Sequence, residues 1–195
     1  MIRLILGLGN PGKEYENTRH NAGRMAAEYF AKSREFSAKG GPAFGWEHDK
    51  KSNALISKNS RVIVALPETF MNKSGSAAVK LIKLKKELKD LVVIHDDIDL
   101  PLGRFKISYG KSSGGHKGAE SVMRALKTKN FVRIRIGVSP KRKPPQKEVI
   151  KFIVGKFKPS ELEIFKKVER KIANALEIMI TDSVDRAMSE FNREH

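Results

Sequence analysis

Short apolar runs separated by helical patterns constrain the fold of this chain more than any other feature. Three runs rich in Val, Ile and Leu have the length of buried strands: residues 3–8, 61–66 and 91–95. Residues 132–138 alternate instead, with Arg133 and Arg135 opposite the apolar positions, which predicts a strand with one buried face. Weaker strand patterns occupy residues 53–58 and 104–109.

Helical spacing of apolar residues fills the intervals between these runs, at residues 22–30, 78–82 and 119–126. Ser160-Glu-Leu-Glu163 reads as a capping box that opens a long helix with an apolar stripe, and Asp182 or Ser183 is expected to cap a final short helix. Strands mixed with helices predict an α/β fold, in which a twisted mixed β-sheet is surrounded by helices. The 195 residues fit one domain covering positions 1–195.

Charge and cysteine content narrow the function. The 39 Lys and Arg against 22 Asp and Glu give a net charge of +17, which attracts polyanions such as nucleic acids, although a solvated lysine-rich surface has the same composition. No cysteine is present, which excludes disulfides, thiolate metal sites and a cysteine nucleophile. No apolar run approaches the ~20 residues that span a bilayer, and the first residues lack a leader pattern. We therefore expect a cytoplasmic protein that is not bound to a membrane, and, without a coiled-coil pattern, a monomer.

The first glycine motif, Gly7-Leu-Gly-Asn10-Pro-Gly12, matches the dinucleotide pattern G-x-G-x-x-G after a strand. A dinucleotide fold needs a helix that opens inside the motif and an acidic strand end about 20 positions further on. Pro11 interrupts the loop, and the later region falls in a predicted helix. The glycines instead predict a tight turn that exposes Asn10 at the end of the first strand.

The second glycine motif, Gly110-Lys-Ser112-Ser-Gly114, matches the G-x-S-x-G pattern of serine hydrolases. That fold needs an acid and then a histidine downstream, but only His116 and His195 follow. A phosphate-binding P-loop is also excluded, because Phe105 occupies the position of its first glycine. The motif predicts a flexible glycine-rich loop whose N–H groups face an anion or a carbonyl.

An acidic cluster, His95-Asp96-Asp97-Ile-Asp99, is predicted to close a buried strand, where active sites of α/β sheets gather. Three explanations stay open. The carboxylates bind a divalent metal for phosphodiester chemistry, they form a solvated acidic turn, or one of them orients a histidine.

A candidate histidine, His20, precedes a helix that Thr18 is expected to cap, which would place His20 in the first helical turn. The positive end of the helix dipole there should disfavour imidazolium and keep His20 a free base. Phe70 and Met71 belong either to the core or to the apolar floor of a substrate cleft, where Asn72 would present its amide.

Six blocks in this order closely resemble the bacterial-type peptidyl-tRNA hydrolase family: Gly7–Gly12 with Tyr15, Thr18–Gly23, Thr69–Gly75, His95–Pro101, Ser113–Gly118 and Phe131–Gly137. One block is only moderately specific, but six in order across residues 1–157 are strongly specific. The family cleaves the ester that links a peptide to the 3′ end of tRNA. The resemblance implies peptidyl-tRNA as the partner, and neither a metal nor a cofactor is required.

The resemblance implies roles for individual residues. His20 is the catalytic base, Asp96 supports it, and Asn10 contacts the substrate and helps to distinguish peptidyl-tRNA from aminoacyl-tRNA. The substrate-binding set comprises Tyr15, Phe70, Met71, Asn72, Gly115, His116 and Lys117. The family usually has Asn where this chain has Lys117, and we hypothesise that the lysine binds terminal phosphates of tRNA. Further cations are assigned to the wider tRNA surface: Lys106, Arg133, Arg135 and residues 141–143.

The chemistry of these residues is consistent with ester hydrolysis. His20 would take a proton from water, and Asp96 would fix the imidazole tautomer and stabilise the imidazolium. Amides of Asn10 and Asn72, with backbone N–H groups near 114–118, would stabilise the oxyanion. Two alternatives remain at this point, namely a magnesium-dependent phosphodiesterase that uses the acidic cluster and an RNA-binding module with an inactive site.

Overall fold

One mixed β-sheet organises the structure, a computed structural model that describes residues 1–33, 45–82, 85–140 and 142–193. Its seven strands are β1 Leu4–Gly7, β2 Glu47–Asp49, β3 Ala54–Lys58, β4 Ile63–Pro67, β5 Leu91–Pro101, β6 Phe105–Tyr109 and β7 Val132–Ser139. Their order in the sheet is β2-β3-β4-β1-β5-β7-β6. Strands β4, β1, β5 and β7 are parallel, and the strands towards the two edges are antiparallel to their neighbours. The predicted mixed sheet is confirmed.

Six α-helices lie among the described residues: α1 Ala22–Lys32, α2 Ser74–Leu81, α3 Lys117–Leu126, α4 Val149–Val154, α5 Pro159–Thr181 and α6 Val184–Phe191. Short 3-10 turns connect several elements, at Lys13–Tyr15, Arg19–Asn21, Met71–Lys73, Lys85–Asp90 and Gln146–Glu148. Within these described residues, no helix is both long enough and apolar enough to cross a membrane.

Helices cover both faces of the sheet. One core lies between the sheet and α1 and α5, with Phe30 and Ile134 among its members, and the other lies towards α2 and α3, with Leu6 and Phe131. Because both faces are covered, the central strands carry the nearly continuous apolar runs seen in the sequence.

The acidic cluster lies within a strand rather than at its end. The predicted strand 91–95 continues as β5 to Pro101, with a register shift between Asp97 and Pro101. Strand β1 ends at Gly7, opposite Ile94, so that beyond this point β5 pairs only with β7. The early end of β1 leaves space beside the second half of β5.

Strand β7 differs from its prediction. Arg133 is 1% exposed, so the face expected to meet solvent is also buried at this position. The reason is tertiary, since the glycine-rich loop folds over this face and the Ser112 carbonyl accepts a hydrogen bond from Arg133.

Two of the three predicted helix caps are wrong. Helix α5 begins at Pro159 instead of after Ser160, and the Glu161 carboxylate accepts the N–H of Lys158 at 2.7 Å. Proline suits the first helical position because its missing N–H would have no partner there. Thr18 makes no capping bond and donates instead to the carbonyl of Tyr15. The cap of α6 is confirmed, since Ser183 accepts the N–H of Arg186.

Candidate active site

The turn that carries His20 lies against the second half of β5. His20 belongs to the 3-10 turn Arg19–Asn21, which runs directly into α1. At Gly23, a Cβ atom would lie 2.2 Å from the Ile94 carbonyl oxygen, so only glycine allows α1 to approach β5 this closely. This close packing brings the early histidine to the strand that carries the acidic cluster.

His20 and Asp96 form the predicted pair. Nδ1 of His20 lies 2.9 Å from Oδ1 of Asp96, and both residues are buried. Because a carboxylate only accepts, Nδ1 carries the proton and Nε2 is left as the basic atom. The structure therefore places a histidine and a carboxylate that are 76 positions apart within hydrogen-bonding reach.

The electrostatics of His20 oppose the expected effect of the helix dipole. Burial is the largest influence and lowers the pKa of His20, but the charge and the hydrogen bond of Asp96 outweigh it, and the pKa is raised above 6.5. Lys117 acts in the opposite direction, because a nearby cation disfavours imidazolium. The expectation that the helix start keeps His20 a free base is wrong, since α1 begins only at Ala22 and the charge and hydrogen bond of Asp96 together outweigh burial.

His116 is a second partner of Asp96. Its Nδ1 accepts the N–H of Ala119 and caps α3, so its Nε2 carries the proton and donates to Oδ1 of Asp96 at 2.8 Å. Burial by itself raises the pKa of Asp96, but the charges and hydrogen bonds of His20 and His116 hold it far below the usual range. Asp96 is therefore an anion that binds two imidazole donors through one oxygen.

His20, Asp96 and His116 could also be considered as metal ligands, since their ligand atoms lie within 4.8 Å of one another. The hydrogen bonds oppose this use. Nδ1 of His116 already accepts an N–H, so a metal on Nε2 would require the ring to lose its one N–H proton and become an imidazolate. The donor set fits a hydrogen-bonded dyad with a supporting histidine better than a metal centre.

The acidic cluster does not converge on one point. Consecutive side chains on a strand leave opposite faces, and Asp97 pairs with Arg135 at 2.5 Å whereas Asp99 pairs with Lys143. Both carboxylates are therefore neutralised by cations. Of the three explanations of the cluster, the geometry favours a single carboxylate that orients a histidine.

A buried hydrogen-bond network of His95 and Arg133 adjoins Asp96. His95 donates from Nδ1 to the carbonyl of Asp96 at 2.6 Å and accepts at Nε2 from Arg133 at 3.1 Å. Burial and the charges of His116 and Arg133 hold the pKa of His95 well below 6.5. Burial also lowers the pKa of Arg133 to about 10. Arg133, which we assigned to the tRNA surface, instead lies inside the protein and holds the loop at Ser112.

Asn10 is fixed next to the histidine turn. Its backbone N–H and carbonyl both bond the side chain of Asn21, and its Oδ1 accepts the N–H of Met71 at 2.8 Å. Its Nδ2 has no partner in the described part of the chain and is left as a donor. Met71 is 5% exposed and packs in the core, which is one of the two roles predicted for it, and its backbone N–H is the group that contacts Asn10.

The glycine-rich segment 110–116 is a loop, with positive φ angles at Gly110, Gly114 and Gly115. The sequence predicts that the N–H groups of this loop face an anion or a carbonyl of a ligand. Those of Gly115 and His116 instead bond to Ser113 within the loop. Among the described residues, the N–H groups of the next two positions, at the start of α3, have no partner.

A cavity of about 280 Å³ opens in front of the dyad. His20, Asp96, the loop 113–117 and the apolar side chains of α4 line it. Asn10 lines a neighbouring cavity of about 460 Å³ between the turn Lys13–Tyr15 and α1.

The remaining predicted residues that the structure describes line neither cavity. The rings of Tyr15 and Phe70 meet edge to face at 6.5 Å, and Phe70 is 57% exposed. Asn72 and Lys106 are exposed, and Lys106 lies opposite Arg135 in the sheet register. Of the cations assigned to residues 141–143, residue 141 lies outside the described residues.

An α/β sheet with a buried histidine–carboxylate dyad facing a cavity is an arrangement suited to an enzyme that uses a general base. Residues 4–195 match the sequence profile of a family described as Peptidyl-tRNA hydrolase. The chain is 39% identical to the peptidyl-tRNA hydrolase of Aquifex aeolicus, covering 99% of this chain and 97% of that protein. It is 38% identical to that of Thermodesulfovibrio yellowstonii, covering 97% and 98%.

Solved structures agree with the sequence comparison. The crystal structure of peptidyl-tRNA hydrolase from Acinetobacter baumannii superposes with a TM-score of 0.85 at 28% identity, over 98% of this chain and 95% of that one. The chain belongs to the peptidyl-tRNA hydrolase family, and it is a hydrolase.

Proposed function

We propose that this protein hydrolyses the ester bond between the peptide and the tRNA of peptidyl-tRNA, with His20 as the general base. The observation that carries the proposal is the bond from Nδ1 of His20 to the buried anion of Asp96, which leaves Nε2 as the base. Family membership supports the substrate.

The steps follow from the positions of the protons. Nε2 of His20 takes a proton from water as the water oxygen attacks the ester carbonyl. Asp96 stabilises the imidazolium that forms, and His116 holds the carboxylate in place. When the tetrahedral intermediate collapses, the bond to the ribose oxygen breaks and the imidazolium returns its proton to that oxygen.

The developing oxyanion needs donors, and two groups are available. Nδ2 of Asn10 is one, since its Oδ1 is already bound to Met71. The first N–H groups of α3, at Lys117 and Gly118, are the other, and the positive end of the helix strengthens them. An ester is more labile than an amide, so the mechanism proceeds without a metal, a cofactor or a covalent nucleophile.

The tRNA surface that we propose differs from the sequence-based set at one position. Lys106 and Arg135 lie opposite each other on β6 and β7, and the Arg135 side chain is 23% exposed. Lys106 presents an exposed cation near the edge of the sheet, whereas Arg135 already pairs with Asp97 and Arg133 is buried. Lys117 lines the cavity of the dyad, and an ammonium group there can bind a phosphate near the 3′ end of tRNA.

The rival enzyme is a magnesium-dependent phosphodiesterase, and one experiment separates the two. Purified protein is incubated with N-acetyl-aminoacyl-tRNA in excess EDTA. Our proposal expects release of the N-acetyl-amino acid at an undiminished rate and tRNA of unchanged length. Loss of activity in EDTA, or shortened tRNA, would support the phosphodiesterase, and binding without release would indicate an inactive RNA-binding module.

We further propose that residues 1–195 act as one domain and as a monomer in the cytoplasm, where ribosomes produce the substrate. The +17 charge supports direct capture of tRNA. Light scattering at assay concentrations tests the monomer, because a dimer would double the mass of 21.9 kDa.

A further inference from the structure

Arg19, the residue before His20, is buried in an unusual set of contacts. Its side chain is 7% exposed. Nη1 lies within 3.3 Å of the carbonyl oxygens of Phe152, Gly155 and Lys156, and Nη2 lies 2.6 Å from Oε2 of Glu161. One guanidinium therefore joins the histidine turn to the end of α4 and to the start of α5.

Backbone and ring contacts strengthen the same connection. The N–H of Arg19 donates to the carbonyl of Gly155 at 3.1 Å, and the N–H of Phe157 donates to the carbonyl of Asn17 at 2.8 Å. The guanidinium also stacks 4.2 Å above the ring of Phe152. The turn that carries His20 and the segment that follows α4 thus form one packed unit.

The opposite face of α4 is apolar and faces the dyad. Val149, Ile150, Ile153 and Val154 line the cavity with His20, and Ile150 is 63% exposed. A helix of six residues has little stability of its own, and its last carbonyl groups need partners. Arg19 supplies a cation and hydrogen bonds at this end, where they stabilise a helix most.

We propose that Arg19 is a positioning residue, which holds α4 against the histidine turn so that the helix forms an apolar wall over the imidazole. The wall excludes water from one side of His20 and contacts the apolar parts of the substrate. This inference rests on the proposed function for its rate measurements. Arg19 acts through α4 and His20 and does not itself touch the reacting atoms.

The test replaces Arg19 by Met, which keeps most of the length of the side chain and removes its charge and donors. When α4 is no longer held in place, water reaches His20, while the hydrogen bond from His20 to Asp96 is kept. Because burial is the influence that lowers the pKa of His20, the acid limb of the kcat/KM profile should move to higher pH, by roughly half a unit or more. Arg19→Lys, which keeps the cation, should restore part of this shift.

Two measurements keep the test decisive if Arg19→Met does not fold. Phe152→Ala loosens the same contact from the side of α4 and should shift the limb in the same direction. NMR titration of the His20 ring reports the shift without substrate, so it separates failure of this inference from failure of the proposed function. Among the described residues, Asp96, His116 and Lys117 are the titratable groups that act on or contact the His20 ring, and neither variant changes them. Arg19→Met also removes the neighbouring cation of Arg19, and this removal itself raises the pKa of His20, so the shift must also appear in Phe152→Ala, which changes no charge.

Met179→Ala is the matched control, since Met179 is buried in α5 far from its start and its loss lowers stability without touching Arg19. It should leave the acid limb in place. An unshifted limb and an unshifted His20 titration in the folded Arg19→Met or Phe152→Ala variant would overturn the inference. An equal shift in Met179→Ala would also overturn it, because general loosening would then explain the effect.

Discussion

Nε2 of His116 donates at 2.8 Å to Oδ1 of Asp96, the same oxygen that receives Nδ1 of His20. Asp96 is therefore held from two sides, by the imidazole of His20 and by a residue that also caps α3. These two tasks of His116 can be separated by substitution.

His116→Ala should lose both tasks, so that stability falls by about 1 kcal/mol through the missing cap and turnover falls about tenfold. His116→Asn keeps a capping oxygen but is too short to reach Asp96. We expect it to recover thermal stability without recovering turnover, as measured by melting temperature and by peptide release. Recovery of both in His116→Asn would show that the contact with Asp96 contributes nothing to catalysis.

The pH dependence of the parent enzyme follows from the raised pKa of His20. The base must be neutral, so kcat/KM should rise with pH through a value above 6.5. Asp96→Asn removes the charge that raises this pKa, and the acid limb should then move to lower pH while the plateau falls. A limb that moves to higher pH in Asp96→Asn would contradict this account of the electrostatics.

Lys117 offers a test of phosphate binding close to the dyad. Lys117→Asn should raise KM severalfold and reduce the slope of log KM against log salt by about 0.7, the effect of one phosphate contact on a single strand. Lys58→Asn is the control, because Lys58 is exposed on β3, which lies towards the opposite edge of the sheet from β7 and β6. If KM and its salt dependence do not change in Lys117→Asn, the lysine does not contact a phosphate.

Glu169 gives a prediction about stability that is independent of catalysis. It is 8% exposed on α5, and burial together with the charge of Glu28 raises its pKa to about 7. The folded state favours the protonated acid, so this contribution is fully present below pH 4.5 and is lost as pH rises through about 7. Glu169→Gln should therefore stabilise the protein at pH 8, on the order of 2–3 kcal/mol, and have little effect at pH 4.

Chemical unfolding at the two pH values measures this difference. Glu163→Gln is the control on the same helix, since Glu163 is exposed and paired with Lys166. Equal stabilisation by Glu169→Gln at pH 4 and pH 8 would show that ionisation of this carboxyl is not the cause.

The central strands could be predicted from the sequence, because strands covered on both faces carry apolar runs. Strand β2 could not be predicted, since Glu47–Asp49 is polar and forms a strand only through its pairing with β3. Arg133 was predicted on the surface for a related reason. Alternation shows which residues share a face, but it does not show that a loop covers that face.

The His20–Asp96 pair was predicted from resemblance and local chemistry together, and the structure brings the two side chains together. The supporting contacts could not be predicted. Arg19 and Glu161 are 142 positions apart in the sequence, and His116 and Asp96 are 20 apart. No local sequence pattern predicts contacts between residues so far apart. The resemblance assigned His116 to the substrate-binding set, and its position directly before a helix was a weak signal for a cap, since Ser, Thr, Asp and Asn are the usual caps.

The central claim is that Nε2 of His20 activates water for ester cleavage. The most direct measurement is single-turnover release of N-acetyl-amino acid from N-acetyl-aminoacyl-tRNA by His20→Ala, with tRNA affinity measured in parallel. The account predicts that release slows by about 10²–10⁴-fold while the affinity for tRNA stays within a factor of about three. Release by His20→Ala at the rate of the parent enzyme would contradict it.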